Sequence, residues 1–128
     1  SDDYKTYQGD LLIGMDGIFH MRIWNTSGQY IVQRVAGIRS TISSLYLMIA
    51  IKPQLKNLQE TISGSTVGHL ANGNIKDFKI IVPKNINLLS QFQDILSETV
   101  CLNNVNRKLA NMRDLLIPQL ISGKRDVK

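Results

Sequence analysis

The sequence predicts an α+β fold, a small β-rich region with short helices followed by one long C-terminal α-helix, and three observations predict it. Up to about Lys84 the apolar pattern changes every few residues and is punctuated by glycine, as short strands and turns require. From Ile86 onward, Leu88, Ile95, Leu102, Leu109 and Leu116 recur every seventh residue. Neither proline nor glycine interrupts that second region between Asn87 and Ile117. Residues 1–84 and 85–128 are therefore expected to be structurally distinct parts.

Within the first part, Leu11 to Met15 reads as a strand held between turns at Gly9-Asp10 and Asp16-Gly17. Phe19 to Trp24 alternates apolar and polar residues, which predicts a half-buried strand returning from the Asp-Gly turn as a β-hairpin. After the polar turn "NTSGQ", the β-branched run from Tyr30 to Val35 predicts a third strand. "SSLYLMIAI" favours a short buried helix ending near Lys52, because Pro53 disfavours helical geometry in its predecessor and can itself begin "PQLKNLQE". A glycine-spaced loop follows, and the alternation of Ile75 to Pro83 predicts another strand.

The long helix carries a wider stripe than its heptad positions, since Leu89, Phe92, Leu96, Val105, Met112 and Leu120 extend it. About 30 residues at roughly 1.5 Å each give a rod about 45 Å long, well beyond the globular average. Such a seam needs a partner in water, which favours a coiled coil over a helix folded back on its own domain. Thr99, Asn106 and Arg113 at alternate core positions weaken a simple dimer but can fix register. At the end, Pro118 predicts a kink or break, with "PQLIS" as a last turn and Gly123 as its terminator.

The chain has 128 residues, 43% of them hydrophobic, and carries a net charge of +5, which suits one modest domain with a polyanionic partner. The basic character is local. Between Asp16 and Glu60 there is no acidic residue, while Arg22, Arg34, Arg39, Lys52 and Lys56 all fall there, and Lys76, Lys79 and Lys84 follow. The longest apolar run, Leu45 to Ile51, is far below the roughly 18 residues of a membrane span, and no secretory signal opens the sequence. With one cysteine, Cys101, and two histidines, His20 and His69, neither an internal disulfide nor a metal cluster is expected, and a cytoplasmic setting is.

Catalysis would need a nucleophile with a base, paired carboxylates, a metal cluster or a phosphate loop, and no such pattern stands out, so the chain reads as non-catalytic. Cys101 lies within a helical pattern with no histidine nearby in sequence. Asp10 and Asp16 sit at strand ends, where turn chemistry explains them. "GMDGIFH" lacks the glycines and lysine of a phosphate loop, and "NTS" at Asn25 matches a glycosylation pattern shared by many cytoplasmic turns. The loop "SGSTVGHLANGN" is better placed for recognition. Gly64 and Gly68 permit close approach, Ser65, Thr66, His69, Asn72 and Asn74 supply donors and acceptors, and Lys76 and Lys79 add counter-charge. The alternative is that Ser65 or Thr66 caps a short helix over "TVGHLAN".

Three features thus lie in one order: "GDLLIGMDG" opening a basic β-rich region, "ISGSTVGHLANGNIKDFKIIVP" closing it, and a long helix ending "LANMRDLLIPQLISGKRDV". That series resembles the specificity subunit of type I restriction-modification enzymes, over nearly the whole chain from Gly9 to Val127. The resemblance implies a non-catalytic DNA-recognition subunit, with residues 1–84 as the later part of a target recognition domain, incomplete at its N-terminus, and residues 85–128 as a spacer helix. It further implies antiparallel pairing of that helix, through a second domain of a longer subunit or by self-association. Methyltransferase subunits carrying S-adenosylmethionine and a motor-nuclease subunit would be the protein partners, with no cofactor on this chain. Competing expectations are the recognition region of a fused restriction-methyltransferase and a helix-mediated assembly protein that binds no DNA.

From charge and loop position, the expected DNA-binding residues are Arg22, Asn25, Arg34, Arg39, Ser65, Thr66, His69, Lys76 and Lys79. The expected helix-pairing residues are Leu88, Phe92, Ile95, Leu102, Val105, Leu109, Met112, Leu116 and Leu120.

Overall fold

A computed structural model of the chain describes residues 4–62 and 68–124. Three strands, β1 (Leu11–Gly14), β2 (Met21–Ile23) and β3 (Val35–Ile38), precede three helices, α1 (Ser44–Ile62), α2 (Asn72–Lys76) and α3 (Ile86–Ile121). Residues up to Leu96 form one compact unit and those from Ser97 a second. The α+β class is as expected.

The central strand is β1, with β2 and β3 antiparallel on its two edges. Leu11 faces Ile23 and Ile38, and Ile13 faces Met21 and Ala36, so one side of the sheet is wholly apolar. The stripe Leu47, Ile51 and Leu55 of α1 packs there together with Phe19, Met15 and Leu70 to make the core. On the opposite side Leu12 lies between Arg22 and Gly37. A Cβ at residue 37 would come within 2.6 Å of Ile31 Cδ1, so the glycine is what lets Ile31 lie across the outer face towards Leu12.

The hairpin of β1 and β2 forms where expected, although β1 ends at Gly14 and β2 is confined to Met21–Ile23. The third strand is displaced. Val35 to Ile38 pairs with β1, whereas Tyr30 makes only an isolated bridge to Lys5, and the chain turns at Val32 to Val35. Since β2 and β3 flank β1 and run the same way, residues 24–34 must carry the chain from one edge to the other. The β-branched run is spent on that crossing.

Helix α1 runs straight through Pro53, against the expected end near Lys52. An interior proline forfeits one backbone hydrogen bond, at roughly 3 kcal/mol relative to alanine. Burying the side chains of Leu47 and Ile51 before it and Leu55 after it contributes roughly 1.5–3 kcal/mol each, which outweighs that loss. Pro53 itself is exposed, where water can take the freed carbonyl.

Residues 75–83 do not form the expected strand. Ile75 and Lys76 end α2, and residues 78–83 belong to no helix or strand. Their partner is a side chain: Gln54 accepts from the Lys79 N–H at 3.1 Å and donates to the Lys79 carbonyl at 2.8 Å. The Tyr46 hydroxyl donates to the Ile81 carbonyl. The alternation was real, since Phe78 and Ile80 pack on the core, but α1 supplies the pairing.

Helix α3 also passes its proline. It spans 36 residues, about 54 Å at roughly 1.5 Å per residue, and includes Pro118 without the expected break. Its end is at Gly123, as expected, where φ is +68°. The N–H groups of Gly123 and Lys124 bond the Leu120 and Gln119 carbonyls at 3.2 and 3.0 Å, closing the helix with a left-handed cap.

Replacing Gln54 by alanine is expected to cost on the order of 1–2 kcal/mol in chemical denaturation. It should also speed amide exchange at Lys79 while leaving β1 protected; equal exchange in both proteins would refute the strap.

Candidate nucleic-acid interface

An aspartate flanks each end of β1, and each aspartate captures an arginine from elsewhere in the chain. Before β1, Asp10 accepts the Tyr7 N–H at 2.7 Å, a turn contact of the expected kind. It is only 4% exposed, so its charge needs a partner. Arg39, just past β3, supplies a fork: Nε to Oδ1 at 3.0 Å and Nη2 to Oδ2 at 2.9 Å. The same Nη2 donates to the Lys5 carbonyl at 3.1 Å, and the guanidinium lies 4.2 Å from the Tyr7 ring centroid. Burial pushes the Asp10 carboxyl up, but Arg39 and the Tyr7 N–H outweigh it and leave the group below its ordinary value. The Ser44 hydroxyl donates to the Gly9 carbonyl and ties the start of α1 to the same turn.

After β1, Asp16 is flanked from two sides. Its Oδ2 takes Arg34 Nη1 at 2.7 Å and its Oδ1 lies 2.8 Å from His69 Nδ1. Those two contacts, Arg34 first, hold its carboxyl below the usual range. The backbone follows the side chains: Gly17 N–H donates to the Gly68 carbonyl at 3.0 Å and Leu70 N–H to the Met15 carbonyl at 2.8 Å. Gln59 of α1 holds the adjoining turn, donating to the Gly17 carbonyl at 2.9 Å and accepting from the Phe19 N–H at 2.7 Å. Arg34 is the one non-glycine residue with positive φ, +72°, among the described residues. Asp16 on its side chain and Met15 N–H on its carbonyl, at 2.9 Å, hold it there.

Beside this centre lies a groove of about 570 Å³ whose walls are the Val32 to Val35 turn and the His69 to Asn72 segment. Of the expected DNA-binding residues, the structure therefore brings Arg34 and His69 together. Arg39 sits at the other end of β1, six positions from Asp16 at Asp10, roughly 20 Å away at about 3.3 Å per residue. Arg22 is exposed on the outer face of β2, Asn25 is half-buried just beyond it, and Lys76 and Lys79 are exposed at and after the end of α2. Ser65 and Thr66 lie outside the described residues. Gln33, on the groove's first wall, was missed by sequence reasoning, because nothing in "YIVQRV" marks a turn.

In the second unit, Leu102, Leu109 and Met112 are 57, 56 and 57% exposed, and Val105 and Leu120 are exposed as well. Leu116 is half-buried. Nearer the start of α3, Leu88 and Ile95 are exposed, while Phe92 packs edge-on against Tyr46 with ring centroids 5.4 Å apart and Leu96 is buried. Among the described residues no helix is long and apolar enough to cross a membrane, and no group of three metal-capable side chains occurs.

No family model matches the chain. It is similar to the specificity subunit of the type I restriction enzyme EcoBI of Escherichia coli, 26% identical over 136 aligned residues. The match covers 96% of this chain and 28% of that protein, so the chain spans little more than a quarter of its relative's length.

The depressed Asp10 carboxyl gives a pH signature. A carboxylate whose value is lowered by folding contributes stability above its unfolded value, near 3.8, and loses it as pH falls through the folded value. Denaturation should find Asp10→Asn weaker than the unaltered chain by on the order of 1 kcal/mol at pH 5–8, given a half-exposed guanidinium, and the gap should close below about pH 3.8.

Proposed function

We propose that this chain is a DNA-recognition part of a type I restriction-modification specificity subunit, non-catalytic and working in the cytoplasm. Residues 1–84 read one half of a split target. Residues 85–128 form a spacer helix that pairs antiparallel with a second helix and docks methyltransferase subunits, which carry S-adenosylmethionine, and a motor-nuclease subunit. The observation that carries the reading is the likeness to the EcoBI specificity subunit, which runs through both the sheet and α3.

Two features support it. Arg22, Lys76 and Lys79 are exposed cations on the basic part, suited to phosphates, and Arg34 and His69 border a groove of mixed polar and apolar lining. In α3 the exposed line Leu102, Val105, Leu109 and Met112 has the seven-residue period of a helix-pairing seam. That seam equally favours a helix-mediated assembly protein, and DNA binding separates the two.

Duplex DNA of mixed sequence should bind the chain, alone or assembled with methyltransferase subunits, with affinity falling roughly 40-fold between about 50 and 200 mM salt for three phosphate contacts. Lys76→Ala with Lys79→Ala should reduce the logarithmic salt slope by about 2 in fluorescence anisotropy. A salt-independent affinity, or none, would leave the assembly reading standing.

For the helix, Leu102→Glu with Leu109→Glu should abolish association in size-exclusion chromatography with light scattering, while the circular dichroism and melting of the first unit persist. Unchanged association would dismiss the pairing seam.

A further inference from the structure

We infer that the groove beside Asp16 reads an A·T base pair, through the neutral amides of Gln33 and Asn72 and the apolar side chain of Val32. The inference rests on the DNA-recognition reading above and names what that site would take.

Charge and loop position guide the sequence reading of recognition residues, but at this groove Asp16 already engages both Arg34 and His69. Asp16 holds Arg34 Nη1 at 2.7 Å and faces His69 Nδ1 at 2.8 Å. An arginine that reads guanine offers its fork to two acceptors, O6 and N7. Arg34 has one arm of that fork committed to a carboxylate, and the same carboxylate repels an edge made only of acceptors. Phosphate is disfavoured for the same reason.

What remains on the walls is of a different kind. Gln33 and Asn72 line the groove, both are exposed, and neither side-chain amide has a hydrogen-bond partner among the described residues. A carboxamide presents one acceptor and a donor pair, the complement of adenine N6 and N7. Val32, 69% exposed on the same wall, offers the methyl surface that the thymine C5-methyl group fits. Amides and a branched apolar chain together match one base pair better than they match either phosphate or guanine.

The platform is also rigid. The turn that presents Val32 and Gln33 closes with Val35 N–H on the Val32 carbonyl at 3.3 Å and is pinned to Asp16 and Met15, just past β1, through the side chain and the carbonyl of Arg34. The wall bearing Asn72 is fixed two residues earlier in the chain by Leu70, which is fully buried, and by the pairing of residues 68–70 with residues 15–17. Side chains held on such supports discriminate by position.

The test is selection of the full chain on a pool of randomised duplexes, followed by sequencing of the bound fraction. The expected result is a preference for A·T at one or more positions, on the order of 10-fold over other pairs. Gln33→Ala with Asn72→Ala should remove that preference while affinity for the unselected pool changes less than about twofold, since no phosphate contact is lost. Gln33→Glu, which keeps the shape of the side chain and the fold, should move the preference from adenine towards cytosine, whose N4 amine donates. An unchanged preference in both variants, or a selected guanine, would overturn the inference and leave the DNA-binding reading intact. Failure of the unaltered chain to retain any duplex would overturn both.

Discussion

Four residues of β1 set the terms for the rest of the first unit. A central strand must find hydrogen-bond partners on two edges and cover on two faces, and Leu11–Gly14 obtains all four. β2 and β3 take the edges, α1 takes the inner face, and Ile31 crosses Gly37 to reach the outer one. The two aspartates then fix where the strand stops. Asp10 draws in the residue after β3, and Asp16 draws in the residue before it. The strand is short, and its boundaries are electrostatic.

That arrangement explains which parts of the fold were legible. The hairpin was, because alternation and an Asp-Gly turn are local signals. The third strand was misplaced by five residues at its start, since β-branched residues in "YIVQRV" serve equally a strand or a covered crossing, and only the edge vacancy on β1 decides between them. The strap at Lys79 shows the same limit. Alternation correctly put Phe78 and Ile80 inside but could not tell that a glutamine side chain, not a strand, would satisfy the backbone. Both prolines misled for one reason: the rule is about a single lost hydrogen bond, and continuous packing, or open solvent at an exposed turn, outweighs it.

The candidate site was legible in composition more than in geometry. His69 and Arg34 were named separately, from a loop and from a basic stretch, and the structure joins them through Asp16, an aspartate read as turn chemistry. Arg39 was named for its charge and is the clamp on Asp10, with part of its guanidinium still in solvent. Gln33 was invisible because it is neutral and lies in "YIVQRV", where no glycine marks a turn. A net charge describes attraction at a distance, whereas the walls of a groove depend on which charges have already found each other.

One residue behind the groove has a thermodynamic consequence. Leu70 lies between His69, which faces the carboxylate, and the segment leading to Asn72, and its side chain is fully buried in the core. Moving the His69 to Asn72 wall outward would draw that leucine into water, along with the hydrogen bond from its N–H to Met15. That wall therefore cannot move outward by a loop motion alone; it moves only as part of the core opens. A ligand entering such a site finds its shape already made, so little ordering entropy opposes association, and selectivity rests on fit.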